Sequence, residues 1–511
     1  MDQTFRYMLG QRIALGFHGT RLPGEFQDLI RKYQVGNVIL FQRNIESADQ
    51  LRELCGQIRE LIVEVTGAIP FIIIDEEGGM VSRIAQHAVN IPGAMAMGAT
   101  GDPENAALAA GITTRQLRGL GPNFNMAPVL DVNTNRDNPV IGVRSYGDDP
   151  ETVARFGENL IRGYAGSGIL CCGKHFPGHG DTAVDSHLGL PCINKSLEEL
   201  ERGELIPFRR AIAAGVPAIM SSHILFPQIE PEKIPATMSR RVITGLLKEH
   251  LGFRGLVLSD CLEMNAIQKF YGTDRGFVAA LQAGIDLAQI SSSFELECQA
   301  LGYANEVAEQ GGFDRDEMEA SVEKILAYKK KLEQYPLEPS LCNLPEDRAL
   351  AADLARKAIT CYQGTPFVVN DRTFFCGCED YRTSGAANVF ASVEPFPVYM
   401  EKALGGKGEI TPKDPTPEEI QEIVRRAEGW DSIVFASCNA HLFRGQLALA
   451  KALAELGKPM MIVALRNPYD LPQMPRVSCQ IAAFDYTRDS FEGLIPVFRG
   501  QLPQGKLPVK L

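Results

Sequence analysis

The sequence predicts an α/β protein: a (β/α)8 barrel of the TIM type, followed by a smaller α/β sandwich domain with a mainly parallel sheet. Three observations predict it. Eight short apolar runs alternate with longer amphipathic ones up to about residue 331. Polar and charged residues gather just after the ends of those runs. A Pro-rich stretch at 332–347, LEQYPLEPSLCNLPED, then breaks the rhythm before a second alternating set begins. The expected organisation is a barrel over 1–331, a linker over 332–347 and a C-terminal domain over 348–511.

The strand candidates of the barrel are Ile13–Phe17, Asn37–Phe41, Phe71–Asp75, Phe124–Leu130, Ile169–Lys174, Ala218–Ser222, Leu256–Asp260 and Ile285–Ile290. They are rich in β-branched residues and lack polar alternation, as strands buried on both faces should. Helices are expected at Ala48–Val65, Pro150–Gly166, Ser196–Ala214, Ser239–His250 and Asp274–Ala283. Ser196-Leu-Glu-Glu reads as a capping box, with Ser196 accepting backbone N–H groups and Glu199 reaching back. In the C-terminal domain, strands fit Thr373–Phe375, Ser432–Ala436, Met460–Leu465 and Gln480–Ala483. Helices there fit Glu346–Cys361, Pro417–Ala427 and Gly445–Leu456.

Composition narrows the function classes. Lys and Arg total 51 against 63 Asp and Glu, a net charge of −12 over 511 residues. An acidic chain argues against nucleic acid or an anionic membrane as partner, because both prefer basic surfaces. With 45% apolar and 22% charged residues, the chain is ordinary for a folded protein and is not mostly disordered. The opening MDQTFRYMLGQRIALGF carries charge early and no apolar run of signal length. Runs such as Ile69–Ile74 are too short to span a bilayer. The expectation is a cytoplasmic protein. Its 12 cysteines include no CxxC pair; Cys171-Cys172 and Cys376-Gly-Cys378 are the close sets, read as ordinary thiols of a reducing compartment.

The densest chemistry lies in Lys174-His175-Phe-Pro-Gly-His179-Gly-Asp181-Thr-Ala-Val-Asp185-Ser-His187. Pro177, Gly178 and Gly180 forbid a regular helix, so His175 and His179 do not sit one turn apart as in a metalloprotease helix. The segment is a structured loop leaving a barrel strand. Within it, Asp185 stands two residues from His187. A carboxylate there can orient an imidazole and raise its pKa, keeping a proton for a leaving group near neutral pH.

The seventh run ends Gly255-Leu-Val-Leu-Ser-Asp260. Asp260 suits a nucleophile or electrostatic stabiliser, and equally an N-cap for a helix over 262–270. Asp75 and Arg83 flank Glu77-Gly78-Gly79, whose glycines permit a tight turn. Arg144 sits among turn residues in Gly142-Val-Arg-Ser-Tyr-Gly. Asp accepts from hydroxyls while Lys and Arg donate to sugar oxygens, so Asp75, Arg83, Arg144, Lys174 and His175 together suit a polyhydroxylated ligand. Each alone reads as a surface ion-pair member.

The strings KHFPGHGDTAVDSH, DEEGG, GVRSYGDDP and VLSD closely resemble glycoside hydrolase family 3, in its β-N-acetylglucosaminidase branch. GVILFQRN at Gly36–Asn44 and NFNMAPVLDV at Asn123–Val132 fit as well. This resemblance spans residues 5–335. ALRNPYDL at Ala464–Leu471 and GKLPV at Gly505–Val509 resemble, more loosely, the second domain of two-domain members. The resemblance implies Asp260 as nucleophile, His187 as general acid/base and Asp185 as its partner. It implies Asp75, Arg83, Arg144, Lys174 and His175 as holders of the terminal sugar, with no cofactor and no metal. One departure stands out: the family usually carries Arg after Glu-Gly-Gly, where this chain has Met80.

The implied reaction removes terminal β-linked N-acetylglucosamine with retention, from a small saccharide or a muropeptide as in peptidoglycan recycling. Because the acid is an imidazole–carboxylate dyad rather than a second carboxyl group, phosphate as well as water is an open acceptor, which keeps a β-N-acetylglucosaminide phosphorylase as an alternative. β-Glucosidase or β-xylosidase specificity is the near alternative; those members lack the KH…DSH loop. Two other classes compete. A metal-dependent barrel hydrolase would use His175, His179, Asp181, Asp185 and His187, but Lys174 would place a positive charge beside the ion. A non-catalytic sugar-binding protein would favour aromatic platforms, whereas Trp430 is the single Trp and lies outside the barrel.

Overall fold

The computed structural model describes residues 3–183, 185, 189–381, 385, 387 and 393–511. Eight parallel strands close a barrel: β1 (Ile13–Leu15), β2 (Asn37–Leu40), β3 (Phe71–Ile74), β4 (Phe124–Asn125), β5 (Leu170–Phe176), β6 (Ala218–Ser221), β7 (Leu256–Cys261) and β8 (Leu287–Ile290). Each pairs with its sequence neighbours, and β8 returns to β1. Alternate side chains fill the interior: Ile39, Phe71, Ile73, Phe124, Leu170, Met220 and Leu258 belong to one buried cluster. The residues between them, such as Val38, Ile72, Ile74, Ile219 and Val257, pack outward against the helices. Both faces are buried, which is why the runs carry no polar alternation.

Local differences from the expected elements have local causes. The fourth run pairs as strand only over Phe124–Asn125, because Pro128 brings no N–H to the ladder. The helix expected over Ser196–Ala214 is two, Leu197–Arg202 and Leu205–Ala213, divided at Gly203. Its capping box forms: Ser196 Oγ accepts from Glu199 N–H at 3.2 Å, and Glu199 Oε2 accepts from Ser196 N–H at 2.7 Å. The segment Arg241–His250 winds as a wide π-type helix.

The second unit is a six-stranded sheet in the order β9 (Thr360–Gly364), β14 (Cys479–Ala482), β13 (Met460–Ala464), β12 (Ser432–Ser437), β10 (Thr373–Cys378), β11 (Lys407–Thr411). All its pairings are parallel except that of β9 with β14. The helix expected to run to Cys361 stops at Ala358, and the chain turns into β9, where β-branched and aromatic residues favour an extended backbone. Buried apolar clusters cover both faces of this sheet.

Directed bonds tie the two units together. Asp485 Oδ2 accepts from Gly93 N–H at 2.8 Å, Asn133 Nδ2 donates to the Tyr469 hydroxyl at 2.6 Å, and Arg115 Nε reaches both oxygens of Asp347 at 3.0 Å. Gly79 has a φ of +53°, and a Cβ there would lie 2.4 Å from Asp485 Oδ1. That contact is a reason for glycine at the junction beyond the turn itself.

Candidate active site

A cavity of about 660 Å³ opens where the barrel strands end. Asp75 follows β3, Lys174 and His175 close β5, and Asp260 lies in the last turn of β7; all four line it, with Arg83 and Arg144. The C-terminal ends of parallel strands point backbone and side chains into one mouth, so residues far apart in sequence converge there.

The charges form a connected network. Asp75 accepts from Lys174 Nζ at 2.9 Å and from Arg83 Nη2 at 3.2 Å. Glu77 accepts from Arg144 Nε and Nη2, both at 2.8 Å, and lies 2.6 Å from Lys174 Nζ. Burial opposes charge on both acids, but the cations outweigh it. Arg144 and Lys174 hold Glu77 at about 2, and Lys174 and Arg83 hold Asp75 well below the usual carboxylate range. Lys174 and Arg144 are raised in turn against burial by those acids. Asp75, Glu77, Lys174 and Arg144 are thus ionised at neutral pH, and their donors have fixed directions.

Beneath it lies Asp131, buried at 0% exposure. Its Oδ2 is 2.7 Å from His175 Nδ1, and its Oδ1 accepts from the backbone N–H of His175 at 3.1 Å and of His179 at 2.7 Å. This arrangement makes Nδ1 the donor and turns Nε2 of His175 toward the cavity. Asp131 stays below its usual range because, although burial raises it, His175 pairs with it. His179 is pushed down to about 4, first by burial and then by His175; it is neutral and bonded at Nδ1 to the Thr182 hydroxyl at 2.9 Å.

Asp260 Oδ1 accepts from the backbone N–H of Cys261 at 2.7 Å. The following helix starts at Asn265 from Met264, so Asp260 is not its cap. Cys261 is braced on the far side: its carbonyl is 2.9 Å from His223 Nε2. Asp185 is buried, and its carbonyl accepts from Gly189 N–H at 3.0 Å. His187, Val184, Ser186 and Leu188 lie outside the described residues.

Five contributors went unassigned in the sequence. Glu77 was visible only as a neighbour in DEEGG, and its pairing with Arg144 crosses 67 residues. Asp131 read as one of several acids at strand ends. His223 read only as one of the polar residues that follow the strand ends. Gly385 and Ala387, from the second unit, complete the cavity wall; with no polar side chain, they carry no sequence signal. The Met80 departure also resolves: Arg466 Nη1 stands 3.0 Å from Met80 Sδ and pairs with Asp380, bringing a cation to that position from the second sheet.

The metal alternative meets a different use of its ligands. His175 and His179 direct Nδ1 to Asp131 and Thr182, and Asp181 lies 2.9 Å from Lys195 Nζ. Among the described residues no three His, Cys, Asp or Glu side chains stand together as a metal site. Among them, too, no helix is long and apolar enough to cross a membrane.

Residues 9–328 match the family described as glycosyl hydrolase family 3, N-terminal domain. This chain belongs to glycoside hydrolase family 3. A β-hexosaminidase A of Pseudoalteromonas piscicida is 33% identical over 400 residues, 70% of this chain and 67% of that one. A β-hexosaminidase of Pseudomonas aeruginosa is 36% identical over 293 residues, 57% of this chain and 86% of that one. The solved family 3 β-N-acetylglucosaminidase of Paenibacillus sp. str. FPU-7 superposes with a TM-score of 0.92 at 37% identity, over 99% of this chain and 98% of that one. The family 3 chain described here is a glycoside hydrolase with a barrel and a second α/β unit, as its sequence predicts.

Proposed function

We propose that this family 3 protein is a retaining exo-β-N-acetylglucosaminidase acting on terminal β-linked N-acetylglucosamine. The observation that carries the reading is the meeting of Asp260 with Asp75, Arg144 and Lys174 in one cavity. The names of its relatives support an N-acetylhexosaminide as substrate. Asp75 and the Nε2 of His175 accept from sugar hydroxyls while Arg83, Arg144 and Lys174 donate to them or to the acetamido oxygen. Asp260 attacks the anomeric carbon as protonated His187, partnered by Asp185, gives its proton to the glycosidic oxygen. The departing alcohol leaves a glycosyl ester on Asp260. His187, now neutral, takes a proton from water, and the hydroxide oxygen displaces Asp260 from the face the aglycone left. Two inversions give retention.

Water is the proposed acceptor, and a cytoplasmic muropeptide is the proposed natural substrate. Proton NMR of the first product from an aryl N-acetyl-β-glucosaminide in phosphate buffer tests the reading. The β-anomer of free N-acetylglucosamine is expected first, with the matching glucoside turned over at least about 100-fold more slowly. The α-anomer first, a sugar 1-phosphate as main product, or equal rates on both substrates overturns it. N-acetylglucosaminyl-anhydro-muramic acid as substrate tests the muropeptide assignment directly.

A further inference from the structure

Away from the barrel mouth, two cysteines meet across the only antiparallel seam of the second sheet among the described residues. Cys361 lies in the edge strand β9 and Cys479 in β14, and their Sγ atoms are 3.8 Å apart. Cys361 pairs with Ile481, two residues beyond Cys479 in β14, so both thiols belong to one face. A bulge between Cys361 and Gln363 draws them together. They belong to the apolar cluster on that face, with Cys479 buried and Cys361 half-buried at the edge, where a small solute can reach it. The two thiols lie within hydrogen-bond reach of each other, either able to donate, and the contact with Cys479 together with the Gln363 N–H pulls the Cys361 thiol below its ordinary value while Cys479 is pushed up. The shift favours ionisation of the more accessible Cys361, and with the second sulfur 3.8 Å away the pair suits sequential oxidation.

We propose that Cys361 and Cys479 form a redox-active pair that takes up one equivalent of a peroxide and closes to a disulfide. The Cys361 thiolate attacks one oxygen of hydrogen peroxide; the O–O bond breaks and hydroxide leaves, giving Cys361 sulfenic acid. The Cys479 thiol gives its proton to that hydroxide, and its sulfur then attacks the Cys361 sulfur. The S–O bond breaks, the sulfenic oxygen leaves with a proton from solvent as water, and the S–S bond forms. Two thiols and one peroxide yield one disulfide and two waters. Bond formation requires the sulfurs to close by about 2 Å, within the reach of side-chain rotation. The new bond would tie β9, which follows the helix Pro345–Ala358, to the strand leading to Asp485, the residue that accepts from Gly93 in the barrel.

The test uses full-length protein carrying C192S, because Cys192 is exposed and would cross-link between molecules. After brief treatment with about equimolar peroxide, intact mass and a non-reducing peptide map are recorded. The expected result is a loss of about 2 Da and one Cys361–Cys479 cross-linked peptide, both reversed by a thiol reductant. In C479S, Cys361 is expected to stop at sulfenic acid, trapped by dimedone. Recovery of both thiols unmodified, conversion of Cys361 to sulfinic acid with Cys479 intact, or a cross-link to any other cysteine overturns the pair.

Discussion

Arg144 grips Glu77 through two hydrogen bonds of 2.8 Å, Nε to Oε2 and Nη2 to Oε1, and Glu77 in turn lies 2.6 Å from Lys174 Nζ. One buried carboxylate thus sets the position of two cations that face the cavity. Their combined charge is balanced by Glu77 and Asp75 before any substrate arrives. The pocket is preorganised, and its donors need little rearrangement to meet a sugar.

Glu77→Gln removes the charge while keeping the shape. Arg144 then loses its carboxylate partner and Lys174 shares Asp75 with Arg83, and the protein loses on the order of 3 kcal/mol of stability, because an uncompensated buried charge is costly. KM for an aryl N-acetylglucosaminide rises with it. Denaturant melts and steady-state kinetics check this; an unchanged midpoint together with an unchanged KM contradicts the positioning role.

Asp131→Asn leaves His175 without the carboxylate that selects its tautomer. A fall of roughly 10- to 100-fold in kcat/KM is expected, the size typical of an outer partner that orients a ligand-binding imidazole. The fold is retained, as circular dichroism would show. Wild-type kinetics in this variant would mean that the His175 tautomer is immaterial.

Asp260→Ala is expected to lower kcat roughly 10³-fold or more while N-acetylglucosamine still binds. Azide fits the space left by the carboxylate and should restore turnover with the α-glycosyl azide as product, since only one inversion then occurs. Retained turnover without azide would remove Asp260 from the nucleophile's role.

Buried carboxyls pull stability in opposite directions with pH. Burial raises Glu76 to about 7 and Asp470 and Asp485 to about 6. An acid with a raised folded pKa keeps its proton when the unfolded chain has lost it, so folding gains as pH falls from about 7 toward about 4. Glu77, held at about 2 against an ordinary 4.5, does the reverse: its contribution is present above about 4.5 and is lost as pH falls toward 2. Thermal midpoints across pH 3 to 8 should therefore rise as pH falls from 8, peak at about pH 4 to 5 and drop below about pH 4. A midpoint that climbs steadily from pH 5 to 8 contradicts this balance.

The barrel strands were legible because each is buried on both faces, which leaves an apolar run with no alternation. Capping at Ser196 and Glu199 was legible because it is local, closed within four residues. The split at Gly203 and the early end of the helix before β9 were not, because competition between neighbouring local preferences is settled by what each segment packs against. Likewise β11 and the helices Phe396–Leu404 and Arg488–Phe498 escaped the reading. In β11 the burial pattern is mixed, so the apolar signal is dilute.

By itself the sequence pointed to the barrel class, the second α/β unit and the polar residues at the strand ends, among them Asp75, Lys174, His175 and Asp260, since periodicity and strand-end polarity are written in neighbouring positions. Only the tertiary structure decided which of them touch: Glu77 with Arg144 and Lys174, Asp131 with His175, Arg466 with Met80. Those pairings join segments tens to hundreds of residues apart. Their energies depend on distance and burial, which exist only once the chain has closed on itself.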